Sequence, residues 1–499
     1  MWEILITICV ICLIYFASAK PRKFPPGPPR LPLFGSLPYL YGKKQQLFHQ
    51  VMEETGERWG CKNGIMGMYL GNTPGIAIWN PNLVRVVLHR DEFQGRPNGF
   101  LFRARSFGKK RGIVFGDGPS WAGQRHFTVA HLRDIGVLGL HKVQHRVQEE
   151  IAALLERIDN HPEGPVASSK IVPANGLFTV HIINVLWALI SGKRYSYEDN
   201  ELHNILKLLS RLIRTGQASG GIINAIPWIR KILPGYSRYN DFMETVTAFQ
   251  NFVKDTIDEH KAAFDRNRIE DFIDAYLLEM DMHSHEKDPP FNDEELITIC
   301  MDLFSAGSES VGNTLSFALL YLGHHPNVQT RLWEEIKHEM GVGCCPCLED
   351  RSRLPYLQAV IEEVMRINPV APLAPPHRAT QHTTLAGYSI PKDSVLYLSL
   401  WAVSHDKSKY KEPSRFLPER FMDDNGLFTR DKVSLNFGFG KRQCPGISFS
   451  RNAIFLFLGA LVANYEFRFV SNEPLPSTES VPGLSICPQP FKILAIKHK

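Results

Sequence analysis

The sequence lacks a marked excess of charge of either sign, since 56 lysines and arginines stand against 51 aspartates and glutamates in 499 residues. A net charge of +5 spread over this length gives no reason to expect a nucleic-acid partner. The sequence also lacks repeats and low-complexity tracts, which excludes collagen-like and disordered classes. With 44% hydrophobic and 21% charged residues, it is typical of a globular protein that buries a large core.

Cysteine is scarce, and its nine positions do not suit a disulfide framework, because the number is odd and two of them lie in an apolar leader. We therefore expect the body of the chain to occupy a reducing compartment. Cys344, Cys345 and Cys347 form a cluster, but no second Cys or His pair stands at the spacing of a zinc site. A surface loop is the favoured interpretation of this cluster.

Charge is absent from residues 4–19, an apolar run slightly shorter than the ~20 residues that usually cross a bilayer. A cleaved signal peptide is the alternative, because residues 17–19 (Ala-Ser-Ala) fit a cleavage site. However, Glu3 precedes the run, and the basic residues follow it at Lys20, Arg22, Lys23 and Arg30. By the positive-inside rule this pattern favours an uncleaved membrane anchor at residues 1–19, with the rest of the chain on the cytosolic side.

Proline is concentrated in residues 24–38, which therefore predict a stiff, extended connector rather than a helix or strand. We assign residues 20–40 to a basic, proline-rich hinge. Residues 41–499 are assigned to one large domain, because no later segment has the composition of a linker.

Hydrophobic periodicity predicts that this domain is mainly α with small β-sheets. Long amphipathic stretches predict helices at 145–159, 240–266, 293–322, 328–340, 357–367 and 448–463. Alternating patterns predict two strand pairs, 68–70 with 75–78 and 388–390 with 394–398.

Candidate chemistry is concentrated around Cys444, which lies among glycines at positions 438, 440 and 446. A helix predicted from about Ile447 directs its N-terminal amides towards the sulfur and favours the thiolate. A thiolate on haem iron donates electron density that favours O–O cleavage. An isolated buried cysteine is usually structural, so this interpretation depends on the residues that accompany it.

The segment around Cys444 resembles the haem-thiolate signature of the cytochrome P450 superfamily and matches its fixed positions at Phe437, Gly440, Arg442, Cys444 and Gly446. Two further motifs of the family precede it in the same order, E-x-x-R at Glu363 and Arg366 and P-E-R-F at 418–421. The resemblance extends from the proline-rich hinge almost to the C-terminus, and is strongest to the animal microsomal family-2 clan.

The resemblance implies the cytochrome P450 fold, with haem b between a long central helix and the cysteine loop, in a catalytic domain that spans residues 41–499. It implies that Cys444 is the axial ligand of the iron. It also implies that the haem propionates contact Trp121, Arg125, His377 and Arg442. Arg103 and Arg105 stay open as further contacts.

Residues 302–310 resemble the part of the central helix that crosses the distal face of the haem. Glu309 and Ser310 match the acid–alcohol pair by which the family delivers protons to dioxygen. The usual alcohol is threonine, so Ser310 keeps the hydroxyl but loses the β-branch that stiffens χ1. We therefore expect less tightly controlled proton delivery. Ala306 and Gly307 are expected to let oxygen approach the backbone.

By resemblance, the substrate pocket is lined by Phe100, Phe102, Phe107, Phe115, Ile222, Ile223, Phe304, Val370, Leu373 and Leu484. These side chains suit a lipophilic substrate that arrives from the membrane. Residues 220–233, which include Trp228, are expected either to enter the membrane interface or to pack as a loop on the core.

The function implied is a monooxygenase that inserts one oxygen atom of O2 into a steroid, isoprenoid, fatty acid or xenobiotic at the endoplasmic reticulum membrane. No dinucleotide-binding fingerprint stands between a strand and a helix, so the electrons of NADPH are expected through NADPH–cytochrome P450 reductase, with cytochrome b5 as a second candidate partner. Two alternatives stay open: a haem-thiolate isomerase or dehydratase that acts on a peroxide without reductase, and a non-catalytic haem sensor.

Overall fold

The structure is a computed structural model and describes residues 2, 18–40, 46–134, 140–166, 168–214, 221–431, 434–483 and 485–498. Most of the predicted membrane anchor lies outside the described residues. Within the described residues, one helix is long and apolar enough to cross a membrane, at Ile447–Asn464. Because 72% of that stretch is buried inside the protein, it is a helix of the core.

Helices dominate the fold, as the periodicity predicts. Each of the six predicted helices is observed, with ends shifted by a few residues. The α-helices of the described residues are α1 (Phe48–Arg58), α2 (Pro81–His89), α3 (Phe100–Ala104), α4 (Gly112–Phe115), α5 (Gly118–Asp134), α6 (Leu140–Asp159), α7 (Thr179–Ser191), α8 (Asn200–Arg214), α9 (Gly221–Ala225), α10 (Ile229–Ile232), α11 (Pro234–Ser237), α12 (Tyr239–Ala263), α13 (Phe272–Met282), α14 (Asp293–His324), α15 (Pro326–Met340), α16 (Pro355–Ile367), α17 (Leu400–Ser404) and α18 (Ile447–Asn464).

The sheets of the described residues are small, with two to four strands each. The strands of the described residues are β1 (Ile65–Leu70), β2 (Thr73–Ile78), β3 (Ser169–Pro173), β4 (His377–Arg378), β5 (Thr383–Leu385), β6 (Tyr388–Ile390), β7 (Val395–Leu398), β8 (Tyr465–Phe469), β9 (Ser480–Val481), β10 (Cys487–Pro488) and β11 (Lys492–Lys497). They are ordered β1-β2-β7-β4, β3-β11-β8, β5-β6 and β9-β10.

One of the two predicted strand pairs is confirmed and the other is wrong. β1 and β2 form the expected antiparallel hairpin. β6 and β7 do not pair with each other, since β6 pairs with β5 whereas β7 lies between β2 and β4. Three of the four residues of β7 are buried, which suits the interior of the larger sheet better than an edge hairpin.

The proline-rich hinge packs against the body along β1. Phe24 is buried with its ring centroid 5.5 Å from that of Tyr69, and the amide of Gly67 donates to the carbonyl of Pro26 at 2.8 Å. The amide of Ser36 donates to the carbonyl of Tyr69 at 2.6 Å. This segment is therefore more than a connector, because its contacts fix where the chain leaves the body.

The long helix α14 runs through the centre of the core. Its first turn is capped by Asn292, whose Oδ1 accepts from the amide of Glu295 at 3.0 Å. Acidic residues fill the first turn, where they complement the positive end of the helix dipole. Phe304, midway along, is fully buried against Trp187, with ring centroids 5.1 Å apart. These contacts hold α14 in place as one wall of a large cavity beside the cysteine loop.

A fully buried charge cluster ties α16 to the chain that leads to the cysteine loop. Arg366 donates to both carboxylate oxygens of Glu363, at 2.7 and 2.9 Å, and both side chains are 0% exposed. Glu363 Oε1 also accepts from Arg420 Nε at 3.1 Å, which joins the P-E-R-F segment to the same network. The amide of Leu417 donates to the same oxygen at 2.8 Å. The carboxylate therefore has partners for both oxygens, as a buried charge requires.

Glu363→Ala should lower the free energy of unfolding by about 3–5 kcal/mol, because it leaves the buried guanidinium of Arg366 without its counter-ion. Urea unfolding followed by circular dichroism measures the change. Glu149→Ala is the matched control, since Glu149 pairs with Arg146 at 3.0 Å on an exposed helix face and should cost at most about 1 kcal/mol. Equal losses in the two variants would contradict the role assigned to the cluster.

Candidate active site

A large cavity lies between α14 and the cysteine loop. Its volume is about 410 Å³. Its walls include Ala306, Glu309 and Ser310 on the α14 side, and Arg442 and Cys444 on the loop side. Pockets for small molecules usually measure roughly 300–1,000 Å³, so this cavity has the volume of a small-molecule site.

The cysteine loop is held by short backbone hydrogen bonds. The amide of Cys444 donates to the carbonyl of Phe437 at 2.8 Å. Gly438 and Gly440 have φ of +69° and +68°, which only glycine adopts freely, and a Cβ on Gly440 would lie 2.9 Å from a backbone oxygen. Gly446 differs, since its φ of −84° is accessible to any residue. A Cβ on Gly446 would lie 3.9 Å from Cys444 Sγ, so the glycine leaves space beside the sulfur.

The environment of the Cys444 thiol contains opposing effects. Burial raises the pKa of Cys444, while the amide of Gly446 and the charge of Arg125 lower it. A helix-start amide of the kind predicted to favour a thiolate is thus present at Gly446, just before α18, but burial outweighs its effect and the net pKa is raised. A coordinated metal ion deprotonates such a thiol, so the site is suited to a metal-bound sulfur.

Three guanidinium groups, those of Arg96, Arg125 and Arg442, line the cavity near the cysteine loop. Arg442 stacks on Trp121, with its guanidinium carbon 3.5 Å from the ring centroid. It also donates to the carbonyl of Gly116 at 2.9 Å. Arg125 donates to the carbonyl of Gln443, next to the cysteine. The three cations are thus oriented by backbone carbonyls and an aromatic ring.

The cations have too little negative charge around them. Burial, together with repulsion from Arg96, lowers the pKa of Arg442 to about 8, and burial also lowers the pKa of Arg96 to about 10. Asp117 opposes both effects and Asp302 opposes the one on Arg96, but the oxygens of Asp117 already accept from Lys110 at 2.6 Å and Arg378 at 2.7 Å, and Asp302 pairs with Arg105. An anionic ligand would relieve the repulsion, and the two propionates of a haem fit this requirement.

The structure separates the roles of Trp121 and His377. Trp121 is not among the residues that line the cavity, and its indole N–H donates to the carbonyl of Ile113 at 3.0 Å. In this structure it orients Arg442 and does not offer a donor to a ligand. His377 lines the cavity, its Nδ1 lies 2.9 Å from the carbonyl of Phe93, and burial keeps its pKa far below the usual range. Its imidazole is therefore neutral.

Sequence reasoning missed Arg96 and left Arg103 and Arg105 unresolved. Arg96 lies in a loop before a proline, where neither periodicity nor spacing distinguishes it from a surface arginine. Arg103 is exposed, whereas Arg105 lines the cavity. However, Arg105 pairs with Asp302 of α14 at 2.8 Å and is not bonded to the cysteine loop.

The distal part of α14 lines the cavity with Gly307 as well as Ala306. A Cβ on Gly307 would lie 2.3 Å from a methyl group of Leu186, so the helix packs closely on α7 here. Ala306 is exposed to the cavity. The hydroxyl of Ser310 donates to the carbonyl of Ala306 at 2.8 Å, one turn back on the same helix. Glu309 lines the same cavity.

The predicted pocket wall is partly right. Phe102, Phe115 and Val370 line the cavity, whereas Phe304 is buried in the core. The remaining described candidates are not among the lining residues: Phe100, Phe107, Ile223 and Leu373. The Ile222 side chain and Leu484 lie outside the described residues. The sequence analysis missed the contribution of α12, which supplies Phe242, Thr245, Val246 and Phe249.

Comparison with known proteins agrees with this architecture. The family model described as Cytochrome P450 matches residues 25–495. The chain is 34% identical to farnesoate epoxidase of Bombyx mori over 495 residues, which cover 98% of this chain and 97% of that protein. It is 33% identical to probable cytochrome P450 305a1 of Drosophila melanogaster over 502 residues (98% and 97%), and 32% identical to cytochrome P450 2J2 of Homo sapiens over 485 residues (97% and 93%).

The fold is that of a mainly α enzyme built around a central helix and a cysteine loop. The chain belongs to the cytochrome P450 family. It is a monooxygenase, and family membership implies a haem cofactor. The excess of positive charge on the cavity wall and the volume of the cavity are compatible with that group.

Proposed function

We propose that this protein inserts one oxygen atom of O2 into a lipophilic small molecule, with electrons from NADPH delivered by NADPH–cytochrome P450 reductase. The observation that carries the proposal is the arrangement of one cavity with the Cys444 thiol on one wall and the Ser310 hydroxyl on the other. A cavity of this kind supplies a metal ligand and a proton donor on different walls.

In this proposal Cys444 would ligate the haem iron, and Arg96, Arg125, Arg442 and the buried His377 would hold its propionates. Trp121 would act through Arg442, whose guanidinium lies over its ring. Haem bound through a thiolate supplies the activation of dioxygen. The protein contributes its binding, its orientation and the exclusion of bulk water.

Glu309 and Ser310 are proposed to move protons into the cavity. The Ser310 proton is held on the carbonyl of Ala306, and rotation about χ1 releases it towards the cavity. Serine populates its χ1 wells more evenly than threonine, because it lacks the second heavy substituent on Cβ. The hydroxyl therefore spends less time in any one orientation, and the delivery of protons is less strictly timed.

The substrate is proposed to be lipophilic because most of the distal wall is apolar. Phe102, Phe115, Phe242, Val246 and Phe249 contribute aromatic and aliphatic surface to the cavity. Burial of such surface contributes roughly 25 cal/mol per Å² of apolar ligand area removed from water. The name of the Bombyx mori relative supports an isoprenoid as one class to test.

We also propose that the protein sits on the cytosolic face of the endoplasmic reticulum membrane. Leu33 and Phe34 of the hinge are exposed, as are Trp228, Ile232 and Leu233 around α10. These two segments meet at Gly71, where a Cβ would lie 2.1 Å from the carbonyl of Ala225 and 3.5 Å from that of Leu33. An exposed apolar surface of this kind, beside the predicted anchor, is suited to contact with lipid.

Cys444→Ser should abolish the red-shifted Soret band of the reduced carbon monoxide complex, because a hydroxyl does not replace the thiolate donor. Absorbance spectra of freshly purified protein measure the effect. Cys345→Ser, on the exposed loop, is the matched control and should retain the band. A wild-type protein that is folded and binds haem but lacks the band would refute the assignment of Cys444.

Ser310→Thr should raise the ratio of product to NADPH consumed by about twofold, because the β-branch removes alternative χ1 wells. Ser310→Ala should lower the ratio and raise peroxide release. The coupling ratio and the peroxide release are both measured with added reductase and a lipophilic compound that the wild-type protein oxidises. Full activity on a hydroperoxide without NADPH or reductase would instead favour the isomerase alternative.

Trp228→Phe should reduce the quenching of protein fluorescence by brominated phosphatidylcholine in vesicles that carry the full-length chain, because Trp228 is proposed to lie at lipid depth. Trp333→Phe is the control, since Trp333 is half-buried against His498. If the two variants quench equally, the surface around Trp228 does not contact the membrane.

A further inference from the structure

Arg105 is a charged side chain in a largely apolar part of the cavity wall. It follows α3 directly, and its guanidinium carbon lies 5.2 Å from the ring centroid of Phe115. Leu101, Phe102 and Ile113 line the cavity nearby in the sequence. A charge in such surroundings is stable only when it is compensated and hydrogen-bonded.

Asp302 provides the compensation. Its Oδ1 accepts from Arg105 Nη2 at 2.8 Å, and its Oδ2 accepts from the amide of Val114 at 2.9 Å. The Asp302 side chain is 1% exposed and that of Arg105 is 14% exposed, so the acid is sealed whereas the arginine still borders the cavity. Each carboxylate oxygen has a donor, and the pair as a whole is neutral.

One nitrogen of the same guanidinium is left over. Arg105 Nη1 is buried and has no hydrogen-bond acceptor among the residues that the structure describes. A buried donor on a charged group is costly to leave unpaired. The carbonyl of Arg105 is engaged separately by the side chain of Gln250 at 3.0 Å, so the backbone here is fixed and cannot easily move to supply an acceptor.

We infer that Arg105 is a specificity-determining residue, which recognises a neutral acceptor oxygen, such as that of an ester or ketone, on a lipophilic substrate. The inference rests on the proposed function and names the polar end of its substrate. A neutral oxygen satisfies Nη1 and adds no charge. In the haem-loaded protein, where the propionates would offset Arg96, Arg125 and Arg442, a carboxylate would bring a second negative charge to a cation that Asp302 already balances.

The test uses the full-length, haem-loaded protein and a matched pair of probes, farnesoic acid and its methyl ester, titrated at neutral pH by the shift of the Soret band. The ester should bind more tightly than the acid. Arg105→Gln should weaken binding of the ester about tenfold, because it removes a hydrogen bond from a charged donor. Arg103→Gln, at the exposed neighbouring arginine, should leave both affinities unchanged.

Asp302→Asn gives the sharper outcome. It removes the counter-charge while keeping an acceptor for Arg105, so the arginine becomes a net cation and the preference should reverse in favour of the acid. Arg105→Lys keeps the charge that balances Asp302 but lacks the second guanidinium arm, so it should weaken ester binding even if Arg105→Gln does not fold.

Wild-type preference for the acid, or ester affinity that is unchanged in Arg105→Gln and Arg105→Lys, would overturn the inference. The reduced carbon monoxide spectrum of each variant is recorded in parallel. Loss of the thiolate band in the wild type would point to failure of the proposed function, whereas an intact band with no dependence on Arg105 would refute only the specificity.

Discussion

The buried pairing of Glu363 with Arg366 is the interaction on which the cysteine side of the cavity depends. Beyond Glu363, Arg366 donates to the carbonyl of Ser404 at 3.0 Å, and the hydroxyl of Ser404 donates to Asn436 at 3.0 Å. Asn436 in turn donates to the carbonyl of Met365 at 2.7 Å and lies directly before the cysteine loop. The ion pair thus positions the loop through a closed set of hydrogen bonds. Burial of these charges costs free energy, and their role in positioning the loop accounts for their presence outside the cavity.

Inside the cavity, by contrast, the positive charges are not balanced by nearby acids. Arg96, Arg125 and Arg442 are brought together by backbone carbonyls and the Trp121 ring, although their charges repel one another. In the protein alone this arrangement opposes folding, because buried like charges are unfavourable. An anionic cofactor would turn the same repulsion into attraction, so occupancy of the site and stability of the fold are coupled. The charges of the Glu363 cluster therefore pair with one another, whereas the charges of the Arg442 cluster depend on a ligand for compensation.

Sequence reasoning succeeded where the partners are close along the chain. The six helices and the β1–β2 hairpin each follow from local patterns in the sequence, and each is observed. It failed where a partner comes from a distant segment. The position of β7 in the larger sheet and the packing of Gly307 on Leu186 depend on contacts across the whole domain. The contribution of α12 to the cavity wall was missed because a long helix does not reveal which neighbour its apolar face meets.

The distal wall places the residues of the inferred specificity and of the proposed proton delivery on one helix. α14 holds Asp302 and Ser310 on one rigid element, and the helix is fixed further along, where Ser316 donates to the carbonyl of Ala174 at 3.0 Å. Neither side chain can therefore move far relative to the other. The loop that bears Arg105 is bound to this helix by Asp302 and by Glu295, which accepts from the amide of Gly112 at 2.9 Å. Because the same helix positions both Ser310, the proposed proton donor, and the counter-charge of Arg105, a substrate held at Arg105 would lie at a set distance from Ser310. Recognition of the polar end of the substrate would then also determine which part of its chain reaches the reactive centre.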